Sequence, residues 1–313
     1  MRAAVVTELG RPPELADRPE PSGEAMYGIS AVSLNPIDVN VGAGRYFGGH
    51  PEFPYVPGCE GVGRGPDGTR VYLFGDGLGV ARDGLLAECA AAPADLGIPI
   101  PDEVSDEIAA SCGIAGMAGW MPVAWRAPVR KDDRVLVLGA TGTVGLVATQ
   151  AAKLLGAERV VAAGRNPERL KRAAELGADA TVSLDEDDLV AAFKEAAGGD
   201  GPTHIVDTLW GPPAVAAIQA AAPRWRLVQI GQSAGAEASL ASAPIRGKTG
   251  EIYGYTDFAV PQDEFAEGYL RLVGHAAAGE IVLDIVTYPL ERVAEAWQRQ
   301  ADGAAAKIVV TLT

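Results

Sequence analysis

The stretch VPGCEGVG, residues 56 to 63, sets Cys59 directly before Glu60 within a run of glycines. A thiolate beside a carboxylate is one way to begin a zinc site, although a catalytic zinc needs about three protein ligands. Cys59 has two other readings: a buried small hydrophobe, the usual state of free cysteine, or a thiol lining a substrate pocket. A second stretch, RVLVLGATGTVGLVATQAAKLLGAERVVAAGRN, spans residues 134 to 166. A strand-like segment runs into Gly139, Gly142 and Gly145, and an amphipathic helical segment begins at once. Glycine lets the backbone turn tightly and approach a pyrophosphate, and the free N–H groups of a helix N-terminus accept its charge. Between a strand and a helix this spacing is fairly specific for a dinucleotide, the alternative being glycines needed only for helix packing. The expected contacts are Gly139, Thr141, Gly142, Thr143, Val144 and Gly145.

In NAD sites an Asp or Glu about 20 residues further on binds the ribose 2′-hydroxyl. Here the next strand ends in Gly164, Arg165 and Asn166, with no acidic residue. A guanidinium able to pair with a 2′-phosphate stands in its place, and Arg169, one helical turn on, adds a second positive charge. The pattern points to NADPH. If Arg165 is only a solvated surface arginine, no evident group remains for the ribose of NAD.

These residues need a scaffold. The first hundred residues read as short strands, AAVVTEL, YGISAVSL, EGVGRG, TRVYLF and LLAECAA, separated by turns such as PSG and PDG, which makes a β-rich, barrel-like unit. Near residue 110 the pattern changes, with Ser105 before acidic residues as a helix start. From Val135 strands and helices alternate, as in a parallel sheet covered on both faces. Asn166 caps a helix with Pro167 at its first position, and Gly156 and Gly177 fall just past helix ends. The tail reads helix, strand, helix, strand and could complete either unit.

At 313 residues the chain is long enough for two cores, since single cores stop growing near roughly 250 to 300 residues. Its net charge of −15 repels a phosphate backbone and anionic lipid, so neither nucleic acid nor membrane is an expected partner. No signal peptide and no run of about 18 apolar residues is evident, and a cytoplasmic location is expected. Three cysteines at wide spacing argue against a disulfide framework.

The segments SLNPIDVNVGAGRY, VPGCEGVG, GATGTVG, AGRN, VQIGQSAG and AAAKIVVTL, in this order, resemble the medium-chain dehydrogenase/reductase superfamily, and within it the zinc-free quinone oxidoreductase and enoyl reductase branch. The resemblance implies an α/β protein: a GroES-like β-barrel catalytic domain (1–112 and 258–313) and a Rossmann, doubly wound parallel-sheet NADP-binding domain (113–257), in a homodimer. Zinc members of the superfamily hold their metal from the positions of Asn35, Cys59 and a residue close to Ile114. Only Cys59 keeps a ligand type, and the four-cysteine structural lobe is missing, so no metal is expected. Gly231, Gln232 and Ser233 match the family's backbone approach to the nicotinamide. Lys307 matches a recurrent lysine expected to fix the tail to the barrel. Where quinone reductases often carry Thr, this chain has Ala118.

Without a Lewis acid, little lowers the pKa of an alcohol, whereas an enone, enoyl thioester or quinone spreads charge onto an oxygen that donors can stabilise. The implied activity is NADPH-dependent reduction of a small apolar acceptor of that kind. A carbonyl reductase or alcohol dehydrogenase, and a non-catalytic NADPH-binding protein, are the rivals. Gly44, Arg45 and Tyr46 match the spacing before a catalytic tyrosine of the enoyl reductases. Tyr46 is then a proton donor or an aromatic wall. Asn35 is expected to hydrogen-bond the substrate or the ribose, and Asp38 to fix the local turn. His50 is a candidate for the substrate side and His204 for a structural role. Tyr55, Met117, Trp120 and Trp210 line a pocket or belong to the core.

Overall fold

The computed structural model describes residues 1–312. The chain divides into two compact units, Met1–Ala115 with Leu283–Thr313, and Gly116–Val282. The expected divisions after residues 112 and 257 therefore shift to 115 and 282. The second shift arises because the helix Gln262–Ala277 packs on the stretch Met117–Met121. A Cβ on Gly268 would lie 2.6 Å from Met121 Sδ and 3.1 Å from Met117 Cε, so segments far apart in the chain share one apolar contact.

The first unit begins with strands β1 (Arg2–Val5), β2 (Glu14–Asp17), β3 (Ala25–Leu34), β4 (Glu60–Arg64), β5 (Arg70–Phe74), β6 (Cys89–Ala92) and β7 (Ile98–Pro99). The second unit holds β8 (Arg134–Leu138), β9 (Arg159–Gly164), β10 (Ala180–Ser183), β11 (His204–Asp207), β12 (Arg226–Gln229) and β13 (Glu251–Gly254). The tail then returns β14 (Ile285–Pro289) and β15 (Lys307–Thr311) to the first unit. Its seven-stranded sheet runs β14, β15, β3, β4, β5, β7, with β6 also on β3. All pairings in it are antiparallel except β14 with β15. Leu34, Leu73, Leu85, Leu86 and Trp297 are buried against this sheet.

In the second unit six parallel strands stand in the order β10, β9, β8, β11, β12, β13. This is the doubly wound order, in which the chain reverses direction between its first and fourth strands and ligands bind beyond the carboxyl ends at that switch. Here the switch lies between β8 and β11. The strands read as apolar runs, RVLVL and RVVAAG among them, because they are covered on both faces. Register aligns the carboxyl ends, with Leu138 opposite Ala163 and Asp207, and Asp207 opposite Gln229.

Local signals hold where they were read. Asn166 Oδ1 accepts from Arg169 N at 3.0 Å, Ser105 Oγ accepts from Ile108 N at 3.3 Å, and Gly156 and Gly177 take positive φ just after helices. The expectation that no long apolar run occurs is corrected: the helical stretch Asp106–Arg126 is long and apolar enough to cross a membrane by length and composition alone, and 78% of its most apolar window is buried. A core helix meets the same criteria.

Candidate functional site

The dinucleotide loop leaves β8 with Gly139 N and Ala140 N both donating to Ala163 O, at 3.0 and 2.9 Å. The helix Thr143–Leu154 follows, preceded by Gly142 in extended backbone with no side-chain cap. Its first N–H groups thus have no capping oxygen, the arrangement that takes an anion. Each glycine has a separate reason. A Cβ on Gly145 would lie 2.3 Å from Gly139 O, and one on Gly164 2.3 Å from Thr141 Cγ2, whereas at Gly142 the nearest atom is 3.8 Å away. Gly145 and Gly164 close the packing, and Gly142 leaves open space at the helix N-terminus.

Where the ribose is expected, just beyond β9, Arg165 is exposed. Arg169 is half-buried, and its Nε donates to Thr141 O at 3.1 Å. Arg169 therefore braces the glycine loop from the next helix, a task its position in the sequence does not suggest. Beyond β12, Gly231, Gln232 and Ser233 form the loop read as the nicotinamide side. Gln229 Nε2 donates to Gly231 O at 2.8 Å, and Ser233 Oγ donates to Thr208 O at 3.3 Å.

The first unit builds a buried polar cluster from the segments around Asn35, Cys59 and Ile114. Asp38 accepts from Asn35 N at 2.7 Å and from Cys59 N at 2.9 Å, which fixes the turn into the helix Pro36–Gly42 as expected. Glu60 is fully buried, and sequence reasoning missed it as a site residue. Its Oε1 accepts from Asn35 Nδ2 at 2.6 Å and from Ser33 Oγ, and its Oε2 from Tyr72 OH at 2.6 Å and Ile114 N at 2.5 Å. The Lys307 ammonium uses its three protons on Leu34 O at 2.8 Å, Asn35 Oδ1 at 2.5 Å and Glu60 Oε1 at 3.5 Å. Burial lowers the Lys307 pKa, opposed by the charges of Glu60 and Asp38. Burial raises the Asp38 carboxyl, opposed by its bonds to Cys59 and Asn35.

This donor set does not fit a zinc ion. Burial, and then the charge of Asp38, push the Cys59 thiol well above its usual range, and it is the one thiol among the three positions. Asn35 Oδ1 is taken by an ammonium, and Ile114 offers an N–H. Gly113 is part of the same design, since a Cβ there would lie 1.8 Å from Glu60 Oε2. The expected contact from Asn35 to a substrate or ribose is corrected as well. At 1% exposure its amide donates to Glu60 and Ser33 O and accepts from Lys307, so its side chain is spent inside the unit.

Tyr46 lies outside that cluster, on the loop after the helix Pro36–Gly42. It is half-buried against the cluster of Val6, Val41 and Tyr55. Gly44 and Gly49, at φ +68 and +84, bracket the loop. The ring of Phe47, 96% exposed, lies 4.6 Å from that of Tyr46. His50 sits 4.7 Å from Phe53, ring to ring. Tyr55, Met117 and Trp120 are buried to 1% exposure or less and belong to the core, while Trp210 is half-buried.

Residues 143–274 match a family model described as zinc-binding dehydrogenase, a stretch that contains neither Asn35, Cys59 nor Ile114. An alcohol dehydrogenase of Geobacillus stearothermophilus is 30% identical over 241 residues, 66% of this chain and 70% of that protein. A component of the phenolphthiocerol/phthiocerol polyketide synthase of Mycobacterium tuberculosis is 27% identical over 333 residues and 99% of this chain, which spans 15% of that protein's length. Two solved structures superpose over 100% of both chains. One is an NAD-dependent alcohol dehydrogenase at 27% identity and TM-score 0.89. The other is the quinone oxidoreductase of Thermus thermophilus, also solved with NADPH, at 26% and 0.83. The chain belongs to the medium-chain dehydrogenase/reductase superfamily, on its quinone oxidoreductase-like side.

Proposed function

We propose that this chain is a zinc-independent, NADPH-dependent oxidoreductase that reduces an activated C=C bond or a quinone of small, apolar character. The observation that carries the reading is the Lys307 ammonium, hydrogen-bonded to Asn35 Oδ1 and Leu34 O among the positions from which zinc relatives hold their metal. Bound NADPH supplies a hydride. The loop Gly139–Gly145 and the helix N-terminus after it hold the pyrophosphate, Arg165 pairs with the 2′-phosphate, and the backbone of Gly231, Gln232 and Ser233 approaches the nicotinamide. The NADPH complex of the Thermus thermophilus enzyme supports this choice of cofactor.

With no Lewis acid to stabilise an alkoxide, an acceptor that delocalises its own charge is the better match. Tyr46 donates its phenolic proton to the reduced substrate. Asn35 acts at one remove, by holding Glu60 and Lys307 beside the helix that leads to Tyr46. We read the seven-stranded sheet as a GroES-like barrel and the assembly as a homodimer. Carbonyl or alcohol chemistry is the second reading, favoured by the names of two similar proteins. The test is NADPH oxidation across a panel of quinones and enones with product analysis. Turnover with loss of the C=C bond or formation of a quinol supports the proposal. NADPH binding without turnover of any acceptor assigns the chain to the non-catalytic class.

A further inference from the structure

Asp207 ends β11 at the switch point, fully buried. Its Oδ1 accepts from the backbone N–H groups of Leu209 and Trp210, both at 2.9 Å, while Oδ2 has no hydrogen-bond partner. Burial pushes this carboxyl up to about 6, against the pull of those two N–H groups. The turn they hold is strained, for Trp210 adopts φ +56 and ψ −163, a region that side chains other than glycine rarely occupy.

The strained turn places Thr208 between two loops. Thr208 Oγ1 donates to Leu138 O at 2.9 Å and fills the space beside Gly139, where a Cβ would come within 2.1 Å of that oxygen. On its other side the Thr208 carbonyl accepts from Ser233 Oγ and lies 2.6 Å from where a Cβ of Gly231 would be. Leu209 O accepts from Ala234 N at 2.8 Å. The turn after β11 is thus wedged between the glycine loop after β8 and the loop Gly231–Ser233 after β12, which are assigned to opposite ends of the cofactor.

We infer that Asp207 is a positioning residue for the dinucleotide site: it holds the Thr208–Gly211 turn and, through Thr208, sets the spacing of the Gly139 and Gly231 loops. The inference rests on the NADPH reading of those loops. A carboxylate that served stability alone would lower the melting temperature on removal and leave the affinity of the folded protein for NADPH unchanged.

The test compares wild type with Asp207→Ala, Asp207→Asn and Thr208→Val, measuring NADPH Kd by protein fluorescence and checking folding by circular dichroism and thermal melting. Losing hydrogen bonds to a charged group weakens binding about tenfold, the rise in Kd expected for Asp207→Ala. Asp207→Asn keeps an acceptor oxygen for the two N–H groups and restores most of the affinity. Thr208→Val keeps the shape, folds, and raises Kd severalfold. In the ligand-free chain, hydrogen exchange quickens in Asp207→Ala at Leu209, Trp210 and Gly139–Gly142 while β9 stays protected. A folded Asp207→Ala protein with wild-type Kd overturns the inference. If that variant does not fold, a Thr208→Val protein with unchanged Kd overturns it instead. Failure of the wild type itself to bind NADPH is a separate result that removes the cofactor reading.

Discussion

The Lys307 side-chain nitrogen lies 2.5 Å from Asn35 Oδ1, joining residues 272 positions apart in the buried centre of the first unit. That contact ties β15 to the start of the helix Pro36–Gly42 and places a fixed positive charge beside Glu60. Removing one member of a buried pair leaves the other charge uncompensated, at a cost of about 3 to 5 kcal/mol. Lys307→Met is expected to lose that much in denaturant unfolding, and the double variant Lys307→Met with Glu60→Gln to recover part of it. A loss for Lys307→Met below about 1 kcal/mol, as for an exposed pair, contradicts this picture of the cluster.

Arg165 is exposed and accessible to a ligand phosphate. A charge-assisted hydrogen bond contributes about 1.5 to 3 kcal/mol. Arg165→Ala should therefore raise the Kd for NADPH roughly ten- to a hundredfold and leave that for NADH where it was. Isothermal titration with both nucleotides reads this directly, and equal losses for the two would rule out the 2′-phosphate as the partner of Arg165.

The two ends of β11 respond to pH in opposite senses. His204 is fully buried with neither ring nitrogen hydrogen-bonded, and burial followed by the charge of Arg226 lowers it from 6.5 to about 3, with Asp133 opposing and Arg130 adding. Between pH 6.5 and 3 only the unfolded chain protonates this histidine, so its contribution to stability is lost as pH falls. Asp207 is raised from 3.8 to about 6. Between pH 6 and 3.8 only the folded chain protonates it, so its contribution grows as pH falls. Each proton is worth about 1.4 kcal/mol per pH unit, and the two slopes nearly cancel from about pH 6 to 4. Asp207→Asn should expose the loss from His204, and His204→Leu the gain from Asp207. Urea unfolding at several pH values checks both, and parallel slopes in the two variants contradict the assignment.

Tyr46 as proton donor predicts that Tyr46→Phe lowers kcat with an enone by about a hundredfold and leaves NADPH Kd unchanged. A change below about threefold makes the ring an apolar wall.

The features legible in the sequence were those decided locally. Gly145 and Gly164 are required by atoms of the same βαβ unit, and Asn166 and Ser105 cap helices that begin beside them. Partnerships between distant segments were not legible. The helix Gln262–Ala277 has an apolar face that either unit could cover, and its periodicity does not name Met117 and Met121 as the cover. Asn35 reads as a free amide until Glu60 and Lys307 are placed against it. The signal for Glu60 was present in a charged residue set among small ones in VPGCEGVG, a setting that only a buried partner makes tolerable. Asp207 gave a weaker signal, an acid closing an apolar strand just before the bulky and glycine pair Trp210–Gly211.

The central claim is hydride transfer from NADPH to a C=C bond or quinone without a metal. Its most direct test uses NADPH deuterated at the transferred position, an enone that the enzyme turns over, and elemental analysis of the same protein never exposed to chelators. Deuterium on the former alkene carbon, an intact carbonyl and no stoichiometric zinc are expected. Deuterium on the carbinol carbon of an allylic alcohol, or one zinc held per chain, would contradict the claim.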